Sequence, residues 1–156
     1  MKNSAICMIS VIVIVCILSL PGCTKKQQFS VYKYPVLPGT EEWSKLNGHG
    51  EMLDACQLPE EWLKADTPSL LASVLSYPLL ADAFSSSTFG ENAADHLASE
   101  FNGMRELLGR DDMIQTARRF DIDVIDFPKK YQKETARRML SYLRSYPDQP
   151  AASQEI

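Results

Sequence analysis

The sequence has few of the residue types that build metal sites and nucleophilic active sites. Its 156 residues include two histidines, 47 positions apart, and four cysteines. No His-x-x-x-His or Cys-x-x-Cys pair occurs, so a zinc site would need ligands from distant segments. Gly-x-Ser-x-Gly, Walker and dinucleotide-binding fingerprints are missing as well. We therefore expect no metal, no cofactor and no catalytic residues, and we predict that the chain is not an enzyme.

One long apolar run stands near the start of the chain. It extends from Ala5 to Leu20 behind the positive charge of Lys2, and its 16 residues fall short of the roughly 20 that span a bilayer as a helix. The run ends in the segment Leu20-Pro21-Gly22-Cys23, and the Pro-Gly pair ends any helix there. This order is typical of a bacterial lipoprotein signal, with cleavage between Gly22 and Cys23. The alternatives are an uncleaved transmembrane anchor, or an ordinary signal followed by a chance cysteine.

The lipoprotein interpretation predicts where the chain is located and what it binds. Acyl chains on Cys23 would attach it to the extracytoplasmic face of a cell membrane, because two or three chains bind a bilayer stably where one does not. Thr24, which is not acidic, follows the cysteine of the Leu-Pro-Gly-Cys segment (the lipobox). In a cell with two membranes, nothing in the lipobox would therefore indicate retention at the inner membrane. The predicted organisation is a signal peptide (1–22), a lipidated tether (23–39), a helical domain (40–147) and a flexible tail (148–156).

Cysteine usage excludes a disulfide framework in the predicted mature chain. Two cysteines leave with the signal and Cys23 is consumed by lipid, so Cys56 remains alone. Its apolar, helix-like context predicts a buried structural thiol. A reactive thiolate would need an electropositive setting, and the nearby Asp54 and Glu60 provide the opposite.

Helix signals run through nearly all of residues 40–147, which predicts an all-α fold, a small bundle of five to seven short helices. The clearest amphipathic pattern extends from Glu91 to Leu108, although Asn102-Gly103 lies inside it. A last helix is predicted from Pro128 to Tyr146. Its expected inward-facing residues are Tyr131, Ala136, Met139, Leu140 and Leu143.

The net charge of −4 hides a segregation along the chain. Residues 40–100 carry eleven acids against two lysines, whereas residues 101–146 carry ten basic residues against seven acids. One interpretation is two solvated faces that attract each other within the fold. The other is a bipolar surface that orients the domain on a partner. Nucleic acid is not an expected partner, because the domain is acidic overall and its predicted location is extracytoplasmic.

Four short segments of the sequence resemble those of a known domain. They are Tyr34-Pro35-Val36, Gly39-Thr40-Glu41-Glu42-Trp43, Ala55-Cys56-Gln57-Leu58-Pro59 and Tyr77-Pro78-Leu79-Leu80. In this order they resemble a recurrent uncharacterised domain of exported lipoproteins in Gram-positive, clostridia-like gut bacteria, over roughly residues 34 to 120. The resemblance implies a Gram-positive host and the outer face of the cytoplasmic membrane. No activity is assigned to that domain, so it implies no catalytic residues.

Two short motifs match catalytic or metal patterns only in part. Ser30 and Lys33 have the Ser-x-x-Lys spacing of penicillin-recognising enzymes, but the further elements of that site are missing. The acids from Asp121 to Asp126 resemble half of a calcium loop without its glycine and its closing glutamate. We predict a chance match for the first and a solvated acidic turn for the second.

Aromatic and basic side chains supply the candidate binding residues. Trp43, Trp62 and Tyr77 are candidates for a sugar-stacking or peptide-docking surface, with core packing as the alternative. On the last helix, Arg137, Arg138 and Arg144 are candidates for an anionic lipid or an anionic cell-wall polymer, with a solvated face as the alternative.

These features favour a membrane-anchored lipoprotein with a non-enzymatic interaction module that binds an envelope protein or an anionic polymer. A small envelope hydrolase with paired carboxylates and a structural spacer are the alternative interpretations.

Overall fold

The computed structural model describes residues 29–84 and 93–147. Gly22 and Cys23, where cleavage and lipidation are predicted, lie outside the described residues, and so does the predicted tail 148–156. The fold is all-helical, which confirms the predicted class. Among the helices of the described residues, none is both long enough and apolar enough to cross a membrane.

The described ranges contain eight α-helices and two 3-10 turns, joined by loops. The helices are α1 (Glu41–Ser44), α2 (His49–Ala55), α3 (Glu60–Leu63), α4 (Thr67–Leu75), α5 (Ala93–Glu100), α6 (Asn102–Leu108), α7 (Met113–Arg119) and α8 (Lys130–Arg144). The 3-10 turns are Leu80–Phe84 and Ile122–Val124. The helices outnumber the predicted five to seven, because one predicted helix is divided in two.

Helix α4 forms the centre of the molecule. It packs against α6, α7 and α8, and every residue in it except Pro68 is buried. Its N-terminus is capped by Asp66, whose carboxylate accepts a hydrogen bond of 2.8 Å from the amide of Ser69. The leucines and the valine expected from the apolar spacing are all in the core: Leu70, Leu71, Val74 and Leu75.

The predicted continuous helix from Glu91 to Leu108 is wrong, because the chain breaks at Phe101. The backbone of Phe101 is extended (φ −123°, ψ 117°), and its side chain is fully buried. Its ring stacks on that of Tyr77 with centroids 4.0 Å apart. The break turns the chain so that the large ring enters the core, and the weak helix formers that follow at Asn102-Gly103 lower the cost of the break.

Two amide side chains replace the backbone hydrogen bonds that the break removes. Gln57 donates to the carbonyl of Glu100 and accepts from the amide of Asn102, both at 2.9 Å. Asn102 in turn accepts from the amide of Leu58 at 2.9 Å and donates to the carbonyl of the same residue at 2.8 Å. This reciprocal pair satisfies the freed polar groups and joins the loop after α2 to the start of α6.

The last helix begins at Lys130, close to the predicted Pro128, but Tyr131 does not face inward. Its side chain is 53% exposed, whereas the other four residues predicted to face inward are buried. Tyr131 precedes Ala136 by five residues, which places it about 140° around the helix from the buried stripe. Its ring lies below the ammonium group of Lys129 instead.

The segment from Phe29 to Tyr34, predicted as part of the tether, packs along α4. The amide of Ser30 donates to Ser69 Oγ at 3.0 Å, and the amide of Tyr32 donates to Ser73 Oγ at 2.9 Å. The Tyr34 side chain is buried. The folded body therefore includes residues from Phe29 onward.

Two buried tyrosines should respond in opposite ways to loss of the hydroxyl. Tyr34 donates to the carbonyl of Ser73 at 3.0 Å, whereas the hydroxyl of Tyr77 has no hydrogen-bond partner among the described residues. We expect Tyr34→Phe to lower the free energy of unfolding by about 1 kcal/mol, and Tyr77→Phe to leave it unchanged or raise it. Urea denaturation measures both. Equal losses would show that a buried water or another group binds the Tyr77 hydroxyl.

Gly103 is expected to tolerate no side chain. A Cβ there would lie 2.5 Å from Phe101 Cζ and 2.7 Å from Leu58 Cδ1, inside the core. Gly103→Ala should lower the free energy of unfolding by about 1–3 kcal/mol through overpacking. Gly50→Ala is the matched control, because Gly50 is also helical and has no atom within 4 Å of its Cβ position. The control should gain about 0.5–1 kcal/mol from helix propensity, and a loss of similar size in both variants would contradict the packing argument.

Candidate functional site

The candidate aromatic residues contribute mainly to packing. Trp43 and Trp62 are half-buried against the core, and the Trp62 ring meets the edge of Tyr32 at a centroid distance of 5.4 Å. Tyr32 in turn meets Tyr34 edge-on at 4.9 Å. Tyr77 is buried and belongs to the core. Both tryptophans thus remain partly exposed, and the structure describes no ring contact that brings them together within residues 29–84.

Cys56 is fully buried, which confirms the structural prediction for this thiol. Burial raises the pKa of the Cys56 thiol to about 11. The thiolate form is therefore disfavoured at neutral pH, and the side chain has neither the access nor the charge of a nucleophile.

Arg137 is held by two acids instead of projecting freely. Its Nη2 lies 2.8 Å from Asp123 Oδ1 and its Nη1 lies 3.1 Å from Glu134 Oε1. Lys133 Nζ also contacts Asp123, at 2.9 Å. Hydrogen bonds from Lys133 and then Arg137 lower the pKa of the Asp123 carboxyl, assisted by the charge of both cations.

The acidic turn that resembles half of a calcium loop has a structural role instead. Asp121 accepts a hydrogen bond of 2.9 Å from the amide of Asp123, and Asp123 forms ion pairs with Lys133 and Arg137 of α8. Across residues 29–84 and 93–147, no group of three or more His, Cys, Asp and Glu side chains is placed to hold a metal ion.

The remaining two candidate arginines of α8 make different contacts. The guanidinium of Arg138 lies 4.5 Å from the centroid of the Phe84 ring, a cation–π contact. Arg144 donates from Nε to the carbonyl of Ala117 and from Nη2 to the carbonyl of Phe120, both at 2.9 Å. These carbonyls end α7, so Arg144 caps that helix and joins it to α8.

A cationic group that the sequence analysis did not single out lies at the same place. Arg118 and Arg119 are exposed in the last turn of α7, and Arg118 Nε donates to the carbonyl of Arg144 at 3.4 Å. We call Arg118, Arg119 and Arg144 the arginine cluster. Two consecutive arginines before a buried Phe120 were a signal for such an exposed helix end. Their proximity to Arg144 depends on tertiary packing and could not be read from spacing.

The charge segregation along the chain persists in the fold. Each of the seven ion pairs described joins residues of the same part of the chain, such as Lys64 with Glu60 and Arg110 with Glu106. Contacts between the two parts include hydrogen bonds in which only one partner is charged. An example is the hydrogen bond of 2.7 Å from Thr67 Oγ1 to Asp112 Oδ1. On α8, Lys133 and Arg137 are paired with acids, whereas none of the ion pairs described includes Arg118, Arg119, Arg138 or Arg144.

No protein-family model, no curated protein and no solved structure matches this chain. The resemblance to exported lipoproteins therefore stays a prediction.

Replacing Arg144 should cost stability, because its guanidinium caps a helix. We expect Arg144→Gln to lower the free energy of unfolding by about 1–2 kcal/mol, since two charge-assisted hydrogen bonds to the carbonyls of α7 are lost at a partly exposed site. Arg138→Gln, which loses one cation–π contact with Phe84, should cost less than about 1 kcal/mol. Chemical denaturation of both variants checks the order, and a larger loss at Arg138 would contradict the capping role.

Proposed function

We propose that this chain is a lipoprotein, held by acyl chains on Cys23 at the extracytoplasmic face of the cell membrane. Its helical body acts there as a non-enzymatic interaction module. The observation that carries the proposal is the segment Leu20-Pro21-Gly22-Cys23 at the end of the apolar run, with only five residues between Cys23 and Phe29, which already packs against the core. A body so close to the anchor stays at the bilayer surface, where it can meet envelope components.

Internal contacts of the most reactive side chains support an interaction role over a catalytic one. Cys56 is buried with its thiol protonated, and Asp123 is engaged by two cations. The exposed groups are instead the kind that recognise partners: guanidinium groups, half-buried tryptophans, and the exposed ring of Tyr131.

The proposed partner is an envelope protein or an anionic polymer, and the fold refines which residues would contact it. Arg137 and Arg138 are exposed and not required to cap another helix, so they remain candidates for direct contact with a partner. Trp43 and Trp62 remain candidates as well. Arg144 combines an exposed charge with a capping role, so its replacement would alter binding and stability together. The Gram-positive host that the resemblance implies belongs to the same proposal.

The anchoring part of the proposal is tested by replacing the cysteine of the box. In a Gram-positive expression host fed a labelled fatty acid, the wild-type chain should carry the label and fractionate with membranes. Cys23→Ala should abolish the label, because the thiol is the acylated group, and should leave the signal uncleaved.

Cys16→Ala is the matched control, because Cys16 lies within the same signal but outside the box. It should retain both label and cleavage. Label that persists in Cys23→Ala, or a mature N-terminus elsewhere than at residue 23, would refute lipidation at this site.

A further inference from the structure

The point at which the predicted tether joins the body is fixed by a ring contact. The rings of Phe29 and Phe120 lie 5.2 Å apart between centroids, and the next residue, Ser30, is hydrogen-bonded to α4. Six residue steps separate Phe29 from Cys23, so the chain between them spans at most about 22 Å when fully extended. An anchor at Cys23 therefore places Phe120 and its surroundings at the end of the body nearest the bilayer.

The arginine cluster surrounds this same point. Arg119 immediately precedes Phe120, Arg144 donates to the carbonyl of Phe120, and Arg118 contacts the backbone of Arg144. Arg119 is exposed, and within the described ranges the structure shows no hydrogen bond or ion pair for its guanidinium. The charges nearest the anchor are thus cationic.

Among the described residues, few acids stand next to the cluster along the chain. The adjacent acid is Asp121, one carboxylate against three guanidinium groups, and its side chain accepts from the amide of Asp123. Lys33 is exposed on the segment along α4. The end of the body that faces the anchor carries an excess of positive charge, opposite to the net charge of the whole chain.

From this geometry we infer that the arginine cluster docks on anionic lipid headgroups of the membrane that holds the chain. The inference rests on the proposed anchoring, because the short connection keeps the cluster at high effective concentration next to the bilayer. Each arginine near an anionic surface strengthens docking about five-fold. Docking presents α7 and α8 end-on to the bilayer and turns the far end of α8, with Lys129 and Lys130, outward.

The test uses the full chain isolated from membranes and reconstituted in vesicles. Vesicles contain phosphatidylcholine alone, or an equal mixture of phosphatidylcholine and phosphatidylglycerol. Arginine side chains are modified with phenylglyoxal, and mass spectrometry gives the rate at each position. We expect slower modification of Arg118 and Arg119 in the anionic vesicles, with the difference removed by high salt. Arg105, on α6, should react equally in both.

Variants distinguish this surface from general charge attraction. The double variant Arg118→Gln, Arg119→Gln should weaken docking about 25-fold, so Arg144 should react at equal rates in both vesicle types. The matched double variant Lys129→Gln, Lys130→Gln removes two charges at the other end of α8 and should keep the protection of Arg118 and Arg119. Equal loss in both variants would overturn the assignment to this end of the body.

Other outcomes separate the docking inference from the proposed anchoring. An acylated chain with equal arginine rates in the two vesicle types refutes the docking alone. A chain without acyl mass that retains its signal and still shows protection refutes the lipidation alone. A soluble glycerol-phosphate polymer that protects the cluster on neutral vesicles, when phosphatidylglycerol does not, would assign the surface to an envelope polymer and overturn the membrane assignment.

Discussion

Burial of helix α4 on nearly every side is the constraint on which the rest of the structure depends. A helix of nine residues cannot cover its own apolar surface, so α6, α7 and α8 pack around it and the N-terminal segment covers the remaining side. The two buried serines of this helix, Ser69 and Ser73, are compatible with such burial because each hydroxyl accepts from the backbone of that segment. The interior is thus closed by polar contacts as well as by apolar packing.

The same requirement explains the break between α5 and α6. Phe101 at the break has an extended backbone, and its buried ring stacks on Tyr77. The reciprocal hydrogen bonds of Gln57 and Asn102 then satisfy the backbone that the break exposes. Stability and local irregularity are joined here, because the irregular turn allows a small chain to bury a large ring.

Periodicity predicted the helical class, the apolar stripe of α4 and the burial of Cys56, because each of these depends on local spacing and composition. It did not predict the break at Phe101, because an uninterrupted apolar stripe has the same spacing on one helix or on two. The predicted inward position of Tyr131 is also wrong, because its angle around α8 points outward. The arginine cluster depends on contact between α7 and α8, and such contacts across 24 to 27 residues leave no mark in local sequence.

The path of the N-terminal segment has a mechanical consequence. The proposed lipid anchor would transmit any lateral drag on the body to Phe29, and that load would enter at one ring contact and two hydrogen bonds along α4. These few contacts would break one after another from Phe29 onward, whereas pulling a packed helix out of the core would break many contacts at once. The body anchored in this way would gain reach while its helices stay packed.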